Sequence, residues 1–181
     1  SGPDSPKSLS RKRVETILSL LDGHGITIDP ESILPGDFSF ESGKQAVKRL
    51  LSGHGAMPEM LLCLNDEMAI GAIREFLNNG ISVPEDIAIT GFDDIEEGSA
   101  LPAHLSSVSF PLWEMTTALV ARVASDLSGT TTYAPETLHF NSRFVQRESC
   151  GCTSRFTNKR PGDVLPNTTQ RVTALRSDTR K

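Results

Sequence analysis

The residues best suited to chemistry stand in two polar pairs, Asn65–Asp66 and Asp93–Asp94, each at the end of a short apolar stretch. An asparagine side chain both donates and accepts hydrogen bonds, and an ionised aspartate accepts from two hydroxyls, so Asn65 and Asp93 together suit a polyhydroxylated small molecule. Each also has a purely structural reading, since Asn65 or Asp66 fits a helix N-cap and Asp93 fits a chain turn. Asp66 and Asp94 are assigned to capping and turn support. Arg11, Lys12 and Arg13 add cationic donors, as ligand groups or as a solvated helix face, and only an arginine offers a planar fork. Phe38 could stack on the flat face of a sugar or base, or simply fill the core.

These residues need elements to position them. Residues 61–94 read as strand, tight turn, helix, turn and strand. The apolar run 60–64 has the length of a buried strand, and Met68, Ala69, Ala72, Ile73, Phe76 and Leu77 then recur at helical spacing. Asn79–Gly80 ends that helix, and residues 83–86 turn the chain into a second apolar strand over 87–90. Both polar pairs therefore fall at the carboxyl edge of a parallel sheet, where ligands bind in open α/β folds. Upstream, Val14, Ile17, Leu18 and Leu21 predict a helix over 9–22, with residues 11–13 in its first turn, where the helix dipole disfavours positive charge. A short strand lies within 36–40, ended by Phe38, and a helix follows over 41–52 with Ala46, Val47, Leu50 and Leu51 on one face. Downstream, 105–110 is a third parallel strand. A helix starting at Pro111 buries Leu112, Thr116, Leu119, Val123 and Leu127, the side of Trp113 staying open. Residues 136–140 and 143–147 form a short-stranded hairpin. The fold class is α/β, a three-layer doubly wound parallel sheet.

The stretch from Cys63 to Asp94, CLNDEMAIGAIREFLNNGISVPEDIAITGFDD, resembles the signature of the lactose-repressor and galactose-repressor family of bacterial transcription regulators. The sensor domain of that family has the periplasmic sugar-binding-protein fold. Pro35–Gly36–Asp37–Phe38, Ser42–Gly43, Leu101–Pro102 and Arg147–Glu148–Ser149–Cys150 extend the resemblance on both sides. It implies that residues 1–152 are the C-terminal lobe of a two-lobed sensor, its first strand missing, and that the chain alone tends to aggregate or dimerise through the open position. It places a ligand arginine at Arg13 and an aromatic ligand contact at Phe38. The expected ligand-binding set is thus Arg13, Phe38, Asn65 and Asp93. The implied effector is a sugar or nucleoside, with DNA bound only through a domain absent from this chain and a homodimer in the full-length protein. Alternative outputs are a fused cyclic-dinucleotide enzyme or kinase, or a sugar-binding protein of periplasmic transport.

Composition narrows the field. The 181 residues carry a formal net charge of −5, which disfavours nucleic-acid binding by the chain itself. Residues 153–181 hold seven Lys or Arg against two Asp, so residues 1–152 carry −10. That basic tail has no periodicity and is expected to be disordered, or a linker. No membrane span or signal peptide is recognisable, and a cytoplasmic protein is expected. Three cysteines make a disulfide framework improbable, and Cys150–Gly151–Cys152 is half a zinc site with no second pair at a usual spacing, so no metal is expected. Asp93–Asp94 could hold magnesium as in phosphate-accepting receiver domains, but these need a lysine ending a later strand, and lysine stands only at 7, 12, 44, 48, 159 and 181. A Gly-x-Ser-x-Gly elbow and a dinucleotide fingerprint are both absent, so neither catalysis nor a cofactor is expected.

Overall fold

The computed structural model describes residues 6–53, 55–129, 136–152 and 172–177. It opens with α1 (Pro6–Gly23), in which Val14 is buried while Arg11 and Glu15 pair at 2.8 Å on the exposed face. The helix starts earlier than its apolar spacing alone predicts, so residues 11–13 lie beyond its first turn and escape most of the unfavourable dipole. β1 (Ile33–Gly36) stops short of the expected strand at 36–40. The Asp37 carboxylate accepts from both the Ser39 amide (3.0 Å) and the Ser39 hydroxyl (2.5 Å), which folds the chain into a helix start and leaves Phe38 in the turn, not in the strand. Ser39 then caps α2 (Phe40–Ser52) by accepting from the Ser42 amide at 3.1 Å.

β2 (Met60–Cys63), α3 (Asp66–Asn78) and β3 (Ala88–Thr90) form the expected unit, with Met60 opposite Ala88 and Leu62 opposite Thr90 in a parallel ladder. Leu61, Leu64, Met68, Ile73, Phe76, Ile87 and Ile89 are each at most 1% exposed and form the core with Ala46, Val47 and Leu105. Burying a side chain the size of Phe76 contributes about 2–3 kcal/mol. α2 and α3 touch backbone to backbone. A Cβ on Gly43 would lie 2.1 Å from the Met68 carbonyl oxygen, and one on Gly71 would lie 2.0 Å from that of Phe40. Glycine at both positions is what brings the starts of the two helices, and the turns before them, together.

Past β3 the expected third parallel strand is only partly realised. Single parallel bridges join Thr90 to Ser106 and Asp93 to Ser109, but β4 (Ser107–Ser109) has its ladder with β5 (Arg143–Val145), antiparallel, Ser107 opposite Val145. Residues 136–140 are not a strand, and in place of the expected hairpin within 136–147 the partner of β5 is β4. Between β4 and the extended stretch before β5 lies α4 (Leu112–Leu127), which has no buried residue. Its expected buried face is bare: Leu112, Leu119, Val123 and Leu127 are exposed, and so is Trp113. The helix is not a crossover between parallel strands but part of an excursion that β4 begins and β5 ends, so no sheet face lies beneath it among the described residues.

The remaining strand corrects the reading of the tail. β6 (Val172–Ser177) is the last element in the chain, yet the sheet order is β1-β6-β2-β3, parallel throughout. Ala174 stands opposite Ile33 of β1 and Leu62 of β2 at once. The position expected to be open is filled. A short β-prone run, Val172–Thr173–Ala174–Leu175, was masked by the polar and basic residues around it. Residues 153–171 and 178–181, also expected to be disordered, lie outside the described residues. No described helix is long and apolar enough to cross a membrane.

Candidate functional site

Three turns meet at the carboxyl edge of the sheet, those that follow β1, β2 and β3, and the side chain of Arg13 joins them. Asn65 ends the β2 turn and works twice: its carbonyl accepts from the Met68 amide (3.1 Å), capping α3, and its amide donates to the Phe38 carbonyl (2.8 Å). Phe38 needs that hold, since its φ of 70° is one that a bulky residue adopts only under restraint. The residue that caps one helix thus also fixes the neighbouring turn.

Arg13 comes to the same edge from α1. Its Nη1 donates to the Leu64 carbonyl at 2.5 Å, and its guanidinium carbon lies 3.8 Å from the centre of the Phe92 ring. Phe92 in turn packs against Phe110, centroids 5.1 Å apart at 56°. Burial lowers the Arg13 pKa, and the nearby charge of Asp93 works in the opposite direction. Asp93 lies at the surface with φ 118°, and among the described residues its carboxylate has no hydrogen-bond partner. Its pKa is raised, first by partial removal from water and then by Asp66, while Arg13 lowers it. An acceptor and a planar donor thus sit side by side without being spent on one another.

Asp94 and Asp66 do the supporting work. The Asp94 carboxylate accepts from Nη2 of Arg147 at 2.6 Å, and its amide donates to the Ser107 hydroxyl at 3.1 Å, which holds a φ of 59°. Asp66 is 1% exposed, with the Ser107 hydroxyl donating to one oxygen (2.6 Å) and the Ile95 amide to the other (2.9 Å). It is not a helix cap, a task that falls to Asn65; it ties the start of α3 to the turn after β3 and to β4. A Cβ on Gly91 would come within 2.0 Å of Asp66 Oδ1, so only glycine admits this buried carboxylate. Arg147 also donates to the Leu105 carbonyl (2.6 Å), and its amide donates to the Ser106 hydroxyl (2.8 Å). The Ser149 hydroxyl accepts from the Ser106 amide (2.8 Å) and donates to the Ile89 carbonyl (2.7 Å).

Arg13, Asn65 and Asp93 reach this one edge, and Phe38 stands there by its backbone, its half-buried ring packing against the core. Phe92 and Arg147 escaped the sequence reading as contributors, and Asp66, read as a cap, instead ties α3 to the turn after β3 and to β4. Phe92 stands between Gly91 and Asp93 with no periodic partner, and Arg147 was seen only as part of a matching segment. Cys63, Cys150 and Cys152 are free thiols, and no group of three potential metal ligands occurs among the described residues.

Residues 1–150 match the family model of a periplasmic binding protein-like domain. Over 152 residues the chain is 34% identical to the HTH-type transcriptional regulator AscG of Escherichia coli, covering 84% of this chain and 44% of AscG. Among solved structures it is similar to a sugar-binding transcriptional regulator of the LacI family from Escherichia coli, complexed with phosphate (TM-score 0.67, 34% identity, 82% of this chain and 52% of that one). It is also similar to a LacI-family regulator from Enterococcus faecium with bound ribose (TM-score 0.66, 27% identity, 77% and 51%). The chain spans about half the length of the relatives it matches.

Proposed function

The chain belongs to the periplasmic binding protein-like domain family, and its relatives are LacI-family regulators; on that premise we propose that it is the greater part of one lobe, residues 1–152, of the effector-sensing domain of a bacterial transcription regulator. The observation that carries this reading is the convergence of Arg13, Phe92 and Asp93 beside the Asn65–Phe38 contact at one sheet edge. A polyhydroxylated effector, a sugar or nucleoside, donates hydroxyl protons to Asp93 and accepts from the remaining donors of Arg13, while Phe38 offers an aromatic face. Asn65 has its carbonyl and one amide proton engaged, so its main part is to position Phe38, with one amide proton left for ligand. Sugar binding and bound ribose in two of the similar structures support this ligand class.

The bare apolar face of α4 supports a second lobe, outside this chain, packing there and closing over the edge. Effector binding then favours whichever lobe arrangement it contacts better, and that differential affinity reaches a DNA-binding domain elsewhere in a homodimeric, cytoplasmic protein. The relatives are described as regulators, which favours binding over catalysis. The test is calorimetric titration of the full-length protein with a panel of pentoses, hexoses and nucleosides, repeated with operator DNA present. Binding of one class that shifts DNA affinity is expected; saturable turnover of a panel member, or no binding by any, would count against the proposal.

A further inference from the structure

We propose that the buried pair Asp66 and Ser107 is the positioning device of the effector site: it holds the turn that aims the Asp93 carboxylate and fixes that turn against β4. The inference rests on the effector-sensing reading of this edge and adds two residues that the effector does not touch, since Asp66 is 1% exposed and Ser107 is fully buried. Asp93 and Asp94 follow one another at φ 118° and 59°, and with Phe38 they are the positive-φ residues other than glycine among those described. Backbone of this kind is costly and persists only where the surroundings over-determine it. Three successive amides do so here. That of Asp93 donates to the Val108 carbonyl (3.0 Å), that of Asp94 to the Ser107 hydroxyl (3.1 Å), and that of Ile95 to Asp66 Oδ2 (2.9 Å). The Ser107 hydroxyl donates in turn to Asp66 Oδ1 (2.6 Å). One carboxylate therefore holds the Ile95 amide directly and the Asp94 amide through Ser107.

Electrostatics alone argues against a second carboxylate in this place, because the charge of Asp66 works against ionisation of Asp93. Helix capping does not explain it either, as Asn65 caps α3. What an amide side chain lacks is a second acceptor: two donors converge on Asp66, and only a carboxylate accepts both. The backbone of β4 adds little hold of its own, since single bridges, Thr90 to Ser106 and Asp93 to Ser109, stand where a ladder would otherwise run. The side-chain bonds thus set how the turn sits on β4. Asn65 and Asp66 are adjacent, and the first holds the Phe38 turn while the second holds the Asp93 turn. The start of α3 accordingly fixes the two turns relative to each other, and an effector bound between them must match that spacing.

The test compares the full-length protein with its Ser107→Ala and Ser107→Thr variants. Alanine removes the hydroxyl link, and threonine keeps it. For the pentose, hexose or nucleoside that the parent binds, Ser107→Ala should weaken Kd by about tenfold or more. Exchange of the Asp94 and Ile95 amides should speed up by a similar factor, while the amides of Ala72, Ile73 and Phe76 in α3 stay protected. Threonine should recover most of both. An unchanged Kd once the two amides are freed, amides that stay protected, or a threonine variant as weak as the alanine one overturns the proposal. If a serine variant fails to fold, Asp66→Asn takes its place, with one acceptor and the charge removed. The Asp93 carboxyl, followed by its carbon chemical shift, should then titrate at lower pH than in the parent, and Kd should again weaken about tenfold; no change in either overturns the proposal. A parent that binds no member of the panel overturns the proposed function and this inference together, whereas equal binding by the parent and Ser107→Ala overturns this inference alone.

Discussion

Asp93 and Asp94 are neighbours of identical chemistry, and the structure gives them opposite jobs, so exchanging each for asparagine separates binding from stability. Asparagine keeps the size of the side chain and tolerates positive φ, which both positions have. At Asp94 the change replaces a charge-assisted bond to Arg147, between groups that are 15% and 24% exposed, by a neutral one. Charge-assisted bonds contribute about 1.5–3 kcal/mol and neutral ones about 0.5–1.5, so Asp94→Asn should lose roughly 1–1.5 kcal/mol of folding stability. At Asp93 no such bond is lost in the protein. If its two oxygens receive two effector hydroxyls, the same difference counts twice, giving about 2–3 kcal/mol, or roughly thirtyfold to 150-fold in Kd. Urea unfolding measures the first effect, and calorimetry of the full-length protein with its effector measures the second. The expected pattern is crossed, with Asp93→Asn binding poorly at unchanged or slightly higher stability. Equal affinity losses from both, or none from Asp93→Asn, would refute the assignment of the ligand to Asp93.

Three more outcomes follow from the same edge. Gly91→Ala should destabilise by about 1–3 kcal/mol in urea unfolding, since its methyl group would collide with the buried Asp66 carboxylate. Ser149→Ala leaves the Ser106 amide and Ile89 carbonyl without partners in a fully buried place, and should cost about 1–3 kcal/mol by the same assay. The pH dependence of Asp93 has a definite sign. Its folded pKa lies above the ordinary 3.8, so the folded state holds the proton longer, and stability falls as pH rises from that value through the raised one. Asp93→Asn should therefore match the parent at pH below the ordinary value and exceed it above the raised one; a gap of the opposite sign in paired urea titrations would contradict the environment described for this carboxyl.

The central unit was legible because strand and helix periods change at Asn65–Asp66 and at Asn79–Gly80, and each change has a local cause in a cap or a glycine. Asn65 was read as a cap or a ligand group, but its bond to the Phe38 carbonyl spans 27 residues and leaves no trace in local sequence. Phe92 and Arg147 escaped for the same reason, as their partners are defined only once α1 and the segment after β5 have come to the edge. The apolar spacing of α4 was real, yet spacing says which side is apolar and not what covers it. β6 was lost because six residues with Val172 and Thr173 as their β-branched members, inside a polar stretch, show no pattern of their own; their place is set by the walls of β1 and β2.

The place of β6 also sets an order of events. β1 leaves the ribosome about 140 residues before the strand that stands beside it, as the pairing of Ile33 with Ala174 shows. β2, α3 and β3 can assemble as soon as they are made, by local contacts alone. The completed sheet, by contrast, must close a loop that runs nearly the length of the chain, and contacts of such separation form slowly. During synthesis the facing edges of β1 and β2 await β6, which is the interval in which such chains are prone to wrong pairing. Slowing translation between the codons for β3 and β6 would lengthen that interval, and a chaperone that shields strand edges would matter most there.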